Sequence, residues 1–368
     1  MSSIMFSPMT SIFENKAAGT IIIGMPGSGK SYFIINLLFN ALIMEQNIFA
    51  IDPKNDLGVL ASLFPDKVEY ININQINPGA LNPFDVIENL DTNTLTSLIS
   101  IICGNLDNNQ ITAITPIVKD FINKNKRGNK SVTFSDVADY LYANDNIEAQ
   151  NIGTKLEIHR DSKYGPLLFC ENENKEKFNF SDKSKIISLH GMDLPKGTGN
   201  EFERMTEEQK FNSGIVFIIC KMLRDKLTKG NYPTIFTMDE AHIAFQNEAF
   251  TKIIDDFLIL GRSLSIATIL ASQSVHHFPE TISQLIANKF CLKSSTNDAK
   301  GFLNMFYNQN SDMMADFDSI IYQIGNFQTG DGYFIDSNNR SGFFKVSSIL
   351  GDSVSSNPLL KKKREENE

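Results

Sequence analysis

Thr20-Ile21-Ile22-Ile23-Gly24-Met25-Pro26-Gly27-Ser28-Gly29-Lys30-Ser31-Tyr32 is the stretch that decides the fold. Residues 24–31 follow the pattern G-x-x-x-x-G-K-S, the Walker A phosphate loop. Thr20–Gly24 reads as a buried strand, and Tyr32–Met44 reads as an apolar helix. Strand, glycine loop and helix in that order separate a phosphate loop from a chance glycine-rich turn. Glycines let the backbone curl so that several N–H groups face one anion, and the helix N-terminus adds partial positive charge. The candidate nucleotide-binding residues are therefore Gly24, Met25, Pro26, Gly27, Ser28, Gly29, Lys30, Ser31 and Tyr32. Lys30 would reach the β- and γ-phosphates of ATP, and the Ser31 hydroxyl would ligate Mg²⁺.

Downstream, Ile235-Phe236-Thr237-Met238-Asp239-Glu240 is an apolar strand ending in two carboxylates, the form of a Walker B. Asp239 would hold Mg²⁺, directly or through water. Glu240 would polarise the water that attacks the γ-phosphate, which favours hydrolysis over phosphoryl transfer to a small substrate. The competing reading is an acidic helix start after a strand. Ser265–Ser272 is a further apolar strand running into Gln273, which is either a γ-phosphate sensor or a turn residue. Arg262, in Gly261-Arg262-Ser263, is either an arginine finger acting on a neighbouring subunit or a cation answering its own helix dipole. Arg340 is a weaker finger candidate. Asp52-Pro53-Lys54 and Leu81-Asn82-Pro83-Phe84-Asp85 follow strands two and three, at the ligand edge of a parallel sheet, with loop chemistry an equal alternative. His276-His277 have too few neighbouring ligands to suggest a metal.

The remaining pattern is α/β. Strands are expected at Asn47–Asp52, Val68–Asn74, Lys185–His190 and Lys289–Ser294, separated by crossovers that imply a mostly parallel sheet. Helices are expected at Leu95–Cys103, Ile111–Phe121, Val137–Tyr142, Glu207–Leu227, Glu248–Leu260 and Glu280–Ala287, and a hairpin or meander within 325–348. The division expected is a leader at 1–19, a first part of the core at 20–84, an inserted mainly helical subdomain at 85–184, a second part of the core at 185–350, and a disordered tail at 351–368.

Composition narrows the function classes. The chain has 368 residues, 42% hydrophobic and 21% charged, enough apolar content for a sizeable core. A formal net charge of −9 argues against a surface coated in nucleic acid, while leaving room for a basic pore loop in an acidic ring. The basic stretches at 124–130 and 361–364 are more readily solvated loops than nucleic-acid sites. Cys103, Cys170, Cys220 and Cys291 form no C-x-x-C pair and read as buried free thiols of a reducing compartment. The longest apolar runs, Phe33–Met44 and Gly214–Leu223, fall short of the ~18 residues that span a bilayer. A soluble chain follows, meeting any membrane through partners.

Taken in order, GMPGSGKS, AIDPKND, ALNPFD, TMDEAH, GRSLSIATILASQS and IANKFCLK resemble the HerA–FtsK branch of P-loop ATPases. Within it the chain is similar to the motor domain of the large type IV secretion (conjugation) ATPases of the TraC/TraE kind, over roughly 20–345. The resemblance implies a RecA-like P-loop NTPase that hydrolyses ATP with Mg²⁺ as a hexamer, with sites between subunits. It implies a place at the cytoplasmic face of the inner membrane, among secretion-channel components, in pilus or channel assembly and substrate transfer. Single-stranded DNA or a nucleoprotein is the implied cargo. A DNA-translocating coupling protein, or an FtsK/HerA-like DNA pump, is the alternative within the superfamily; a non-hydrolysing assembly scaffold is the alternative outside it. Two departures stand out. Such ATPases carry a long domain before the motor, whereas the phosphate loop here begins at Gly24, and Ser263 follows Arg262 where the family has a basic residue.

Overall fold

The structure, a computed structural model, describes residues 6–125, 131–172, 183–195, 204–229, 232–307 and 317–347. The expected tail at 351–368 and most of the basic stretch at 124–130 lie outside them.

The chain opens with α1 (Thr10–Phe13) and reaches β1 (Gly19–Ile23), whose five residues are all buried. α2 (Lys30–Ile43) follows the glycine loop, then β2 (Asn47–Asp52), α3 (Gly58–Leu63) and β3 (Val68–Asn72). Six helices come next: α4 (Pro83–Val86), α5 (Thr92–Ile102), α6 (Asn108–Asn125), α7 (Phe134–Tyr142), α8 (Ile147–Glu157) and α9 (Pro166–Phe169). Strands resume with β4 (Ser184–Ser188), followed by α10 (Glu207–Leu227), β5 (Thr234–Met238), α11 (Glu248–Leu264), β6 (Ile266–Ser272) and β7 (Ile286–Leu292). α12 (Thr296–Phe306), α13 (Phe317–Asn326), β8 (Asp331–Ile335) and β9 (Ser341–Lys345) complete the described fold.

The nine strands form one sheet in the order β3-β4-β2-β5-β6-β1-β7-β8-β9. β1 to β7 pair in parallel, and β8 and β9 add an antiparallel edge. Parallel strands covered on both faces read as continuous apolar runs, and β4, β5, β6 and β7 are buried throughout. Alternate side chains feed two cores. Ile21, Ile23, Phe236 and Met238 face α10, α11 and the helices between β3 and β4. Ile22, Ile48, Ile235 and Ile269 face α1, α2 and α3. Phe236 stacks on Phe257 of α11 at 4.3 Å between ring centroids, and burying a side chain of that size contributes about 2–3 kcal/mol.

Among the described residues, the buried side chains of the helices between β3 and β4 belong to the first core. Local chemistry still starts them: Asp91 caps α5, a Thr133–Asp136 capping box starts α7, and Asn146 caps α8. Several expectations shift. The stretch Glu280–Ala287 is a 3-10 turn over Glu280–Leu285, because Ile286 already pairs with β1. Ser265 is the left-handed cap of α11, so β6 starts one residue later. The longer helices α8, α12 and α13 and the short helices α1, α3, α4 and α9 were not among those expected. Cys170 is exposed where the chain turns outward after α9, while Cys103, Cys220 and Cys291 are buried thiols as expected. Among the described residues no helix is long and apolar enough to cross a membrane.

Candidate active site

The parallel strands deliver their C-terminal ends to one edge of the sheet, and the chemistry collects there. The phosphate loop leaves β1 with Gly24 N–H donating to Ser272 O (3.2 Å) and Met25 N–H to Lys293 O (2.9 Å). Gly27 (φ 78°) and Gly29 (φ 95°) take left-handed backbone that a side chain would strain. Gly29 is the N-cap of α2 and supplies no capping side chain, so the first N–H groups of the helix stay available to an anion. The buried Ser28 hydroxyl has no partner among the described residues, and the buried Lys30 amine has only a 3.5 Å contact with Gly24 O. An anion at this loop would satisfy those groups. From the antiparallel edge, Thr329 Oγ1 donates to Gly27 O (3.1 Å) and Gly330 N–H to Ser28 O (3.0 Å). This clasp on the loop has no sequence signal, because nothing in a Thr-Gly pair names its target.

Across from the loop, β5 ends in Asp239 and Glu240, 2% and 6% exposed. Asp239 N–H donates to Ile51 O of the neighbouring strand (3.3 Å), and Glu240 N–H to Asp239 Oδ1 (3.0 Å). Glu240 sits in left-handed backbone (φ 57°, ψ 46°). That conformation is uncommon for a non-glycine residue and costs about 1–3 kcal/mol. It turns the carboxylate onto three partners. Oε1 accepts from Lys54 Nζ and from Gln273 Nε2 (2.9 Å), and Oε2 lies 3.3 Å from Nδ1 of His242. Lys54 reaches it because β2 lies beside β5, with Ile51 opposite Met238.

The electrostatics follow from burial against these partners. Burial alone would raise the Glu240 carboxyl, but the His242 ring and the Lys54 amine, with the charge of Lys30, hold it well below the usual carboxylate range. Asp239 moves the other way: its burial outweighs the pull of Lys30 and Lys54 and pushes it up. Burial works to lower Lys54, yet the carboxylates of Asp239 and Glu240 keep it raised. Asp52 is pushed up to about 6 by burial, against backbone N–H donors from Leu57 and Asp56. Its carboxylate accepts the N–H groups of Lys54, Asp56 and Leu57 and so shapes the turn that aims Lys54.

Of the residues singled out in the sequence, Lys30, Asp239, Glu240 and Gln273 share this edge with residues 24–32. Arg262 does not. It lies in the last turn of α11, at the end of the sheet where β6 begins, and donates to Asn15 O (3.3 Å). Arg340 sits in the β8–β9 turn, paired with Asp336 at 2.7 Å. Asn82 caps α4 and donates to Asp85 Oδ2 and to Val132 O (both 2.8 Å), which ties the helices after β3 together. No group of three His, Cys, Asp or Glu able to hold a metal exists among the described residues. The Ser31 hydroxyl and the Asp239 carboxylate are the hard oxygen donors that suit Mg²⁺ beside bound phosphates. His242 is the residue that sequence inspection passes over, although it stands in the quoted stretch TMDEAH.

Loop, strand order and paired carboxylates make this a P-loop nucleotide site. The profile of the AAA-like domain matches residues 12–355. The chain belongs to the AAA-like domain family. Among solved structures, this AAA-like chain is similar to VirB4 of Thermoanaerobacter pseudethanolicus, at 16% identity and a TM-score of 0.69, over 92% of this chain and 91% of that one. It is also similar to the bacterial conjugative coupling protein TrwBΔN70, at 14% identity and a TM-score of 0.59, over 90% of this chain and 84% of that one. TrwB in complex with ADP and Mg²⁺ matches at 13% identity and a TM-score of 0.58, over 90% and 85%. At such identities the likeness establishes the fold: a P-loop NTPase with a mostly parallel sheet. None of the curated proteins matches the sequence.

Proposed function

We propose that this chain is a Mg²⁺-dependent ATPase that powers a type IV secretion or conjugation machine, in channel or pilus assembly and substrate transfer. The observation that carries the proposal is the convergence of Lys54 and Gln273 on the buried Glu240 carboxylate, facing the phosphate loop. A P-loop protein without hydrolysis has no use for a strained, buried carboxylate held on three sides. That weighs against a non-hydrolysing scaffold. The fold likeness to VirB4 and to the conjugative coupling protein TrwB supports the cellular setting.

In this reading residues 24–32 hold the triphosphate, and Lys30 neutralises its outer phosphates. Ser31 and Asp239 would hold Mg²⁺, whose charge offsets that of the phosphates. Glu240 orients and polarises water, and Gln273 reports the γ-phosphate to Glu240 through their shared hydrogen bond. Arg262, at the far edge of its own sheet, acts on the site of a neighbouring subunit of a hexamer. The ring docks through secretion-channel partners at the cytoplasmic face of the membrane. The likeness to TrwB supports a second reading, a pump for single-stranded DNA.

ATP turnover by the purified chain, with and without single-stranded DNA, tests both. Glu240→Gln is expected to bind ATP and lose about 10²–10⁴-fold in kcat. Lys30→Ala is expected to lose binding. Full turnover in Glu240→Gln overturns its role, and strong stimulation by DNA favours the pump. Mixing Arg262→Ala with Lys30→Ala subunits restores activity if the arginine acts in trans. A normal Arg262→Ala enzyme excludes it as a finger.

A further inference from the structure

His242 stands behind Glu240 with two acceptors to serve. Its ring is 4% exposed and follows Glu240 in the 3-10 turn Ala241–Gln246. Nε2 lies 2.9 Å from the carbonyl oxygen of Pro195. A carbonyl only accepts, so Nε2 carries a hydrogen. Nδ1 lies 3.3 Å from Glu240 Oε2, and that oxygen also only accepts when ionised. Neither Nδ1 nor Oε2 has a hydrogen-bond partner among the described residues, and both are buried. A buried nitrogen and a buried carboxylate oxygen with no other partner among the described residues carry a large penalty unless they serve each other. Their contact is slightly long and imperfectly aligned, as catalytic contacts commonly are before substrate closes the site.

The surroundings hold the ring in place. The His277 ring packs at 4.9 Å from it, tilted by 53°. His277 Nδ1 is 2.6 Å from the Ser272 hydroxyl, and the Ser272 carbonyl accepts the Gly24 N–H of the phosphate loop. Burial, and then the neighbouring His242 ring, push His277 down to about 4, so it presents no competing cation. His242 therefore links the carboxylate, the loop carrying Pro195 and, through His277 and Ser272, the phosphate loop.

We propose that His242 is the positioning residue for Glu240: a doubly protonated ring that ties Oε2 to the Pro195 carbonyl and leaves Oε1 to face Gln273, Lys54 and the nucleotide. The assignment rests on the ATPase proposal above for its kinetic consequence, but not for its ring chemistry. It makes His242 act through Glu240 rather than on the substrate.

Two substitutions separate this from a merely structural role. An asparagine amide nitrogen falls near the place of Nδ1, and a glutamine amide nitrogen near that of Nε2. His242→Asn keeps the donor to Glu240, and is expected to hold kcat within about 3-fold of wild type. His242→Gln keeps only the donor to Pro195, and is expected to lose at least 10-fold in kcat with KM for ATP changed less than 2-fold. Any other pattern, including equal losses, no losses, or a loss confined to asparagine, overturns the proposal. The second measurement needs neither turnover nor a folded variant at position 242. Ring ¹⁵N spectra of the nucleotide-free protein at pH 7 should show hydrogen on both nitrogens of His242, and loss of the Nδ1 hydrogen in Glu240→Gln. An unprotonated Nδ1 in the wild-type protein overturns the proposal. A wild-type protein with no ATP turnover counts against the ATPase proposal alone, because the ring spectra still decide the state of His242.

Discussion

Replacing Lys54 by methionine removes the amine that sits on Glu240 Oε1 and keeps most of the side chain's length. The Glu240 side chain is 8% exposed and that of Lys54 41%. Removing one partner of a fully buried pair costs about 3–5 kcal/mol, and an exposed pair contributes about 0–1 kcal/mol. This pair has one member of each kind. Gln273 and His242 stay on the carboxylate after the change, and solvent screens the exposed lysine. The expected loss is therefore about 1–2 kcal/mol, after that discount. With about 2.1 cal/mol/K of unfolding entropy per residue, 368 residues give about 0.8 kcal/mol/K. The unfolding midpoint should fall by about 1–3 °C in calorimetry of the nucleotide-free protein.

Salt and pH sharpen the expectation. The gap between wild type and variant should narrow in 1 M salt, where the Debye length is only about 3 Å. The Glu240 carboxyl is held below its unfolded value, so its contribution is complete above about pH 4.3. That contribution is lost as pH falls through the folded value, and the gap should close on acidification. The decisive control is a double-mutant cycle with Glu240→Gln. Lys54→Met should cost almost nothing in that background. If its cost there matches the cost in wild type to within about 0.3 kcal/mol, the ion pair does not account for the effect and the reasoning fails.

Asp52 titrates near 6 when folded, against 3.8 for a free carboxyl, so the folded protein binds the extra proton between those values. Stability of the nucleotide- and Mg²⁺-free protein should therefore fall by about 2 kcal/mol as pH rises from 4 to 6, and urea midpoints across that range should flatten in Asp52→Asn. Phe236→Ala removes a fully buried ring stacked on Phe257 and should cost about 3–5 kcal/mol in urea unfolding. A loss under 1 kcal/mol would mean that the sheet does not pack on α11 as described.

Much of this site was legible in the residues alone. Ile21 to Ser31 announces strand, loop and helix because backbone conformation and burial are local properties, written in glycine spacing and apolar runs. The Asp239-Glu240 pair is legible for the same reason: it ends an apolar strand, and strand ends meet at the ligand edge of a parallel sheet. The mostly parallel sheet was implied by strands separated by crossovers. The helices α8, α12 and α13 were not read from the sequence, although Ala299, Phe302, Leu303 and Phe306, and Phe317, Ile320, Ile321 and Ile324, stand at helical spacing; each stripe is only about two turns long and lies among Asn, Asp, Gln and Ser.

What the chain's order of residues could not say is which side chains meet. Lys54 and Glu240 are 186 positions apart, and Thr329 and Gly27 are 302 apart. Parallel strands are joined by long crossovers, so neighbours in the sheet are strangers in the sequence. Local pattern determined that a glycine loop and a separate acidic strand end both lie at the ligand edge of a parallel sheet. Strand order alone decided that β2 lies against β5, that Lys54 therefore sits on Glu240, and that a buried histidine closes the carboxylate from behind. Those contacts depend on which strands pair, and pairing is settled only when the two cores on either side of the sheet are filled together.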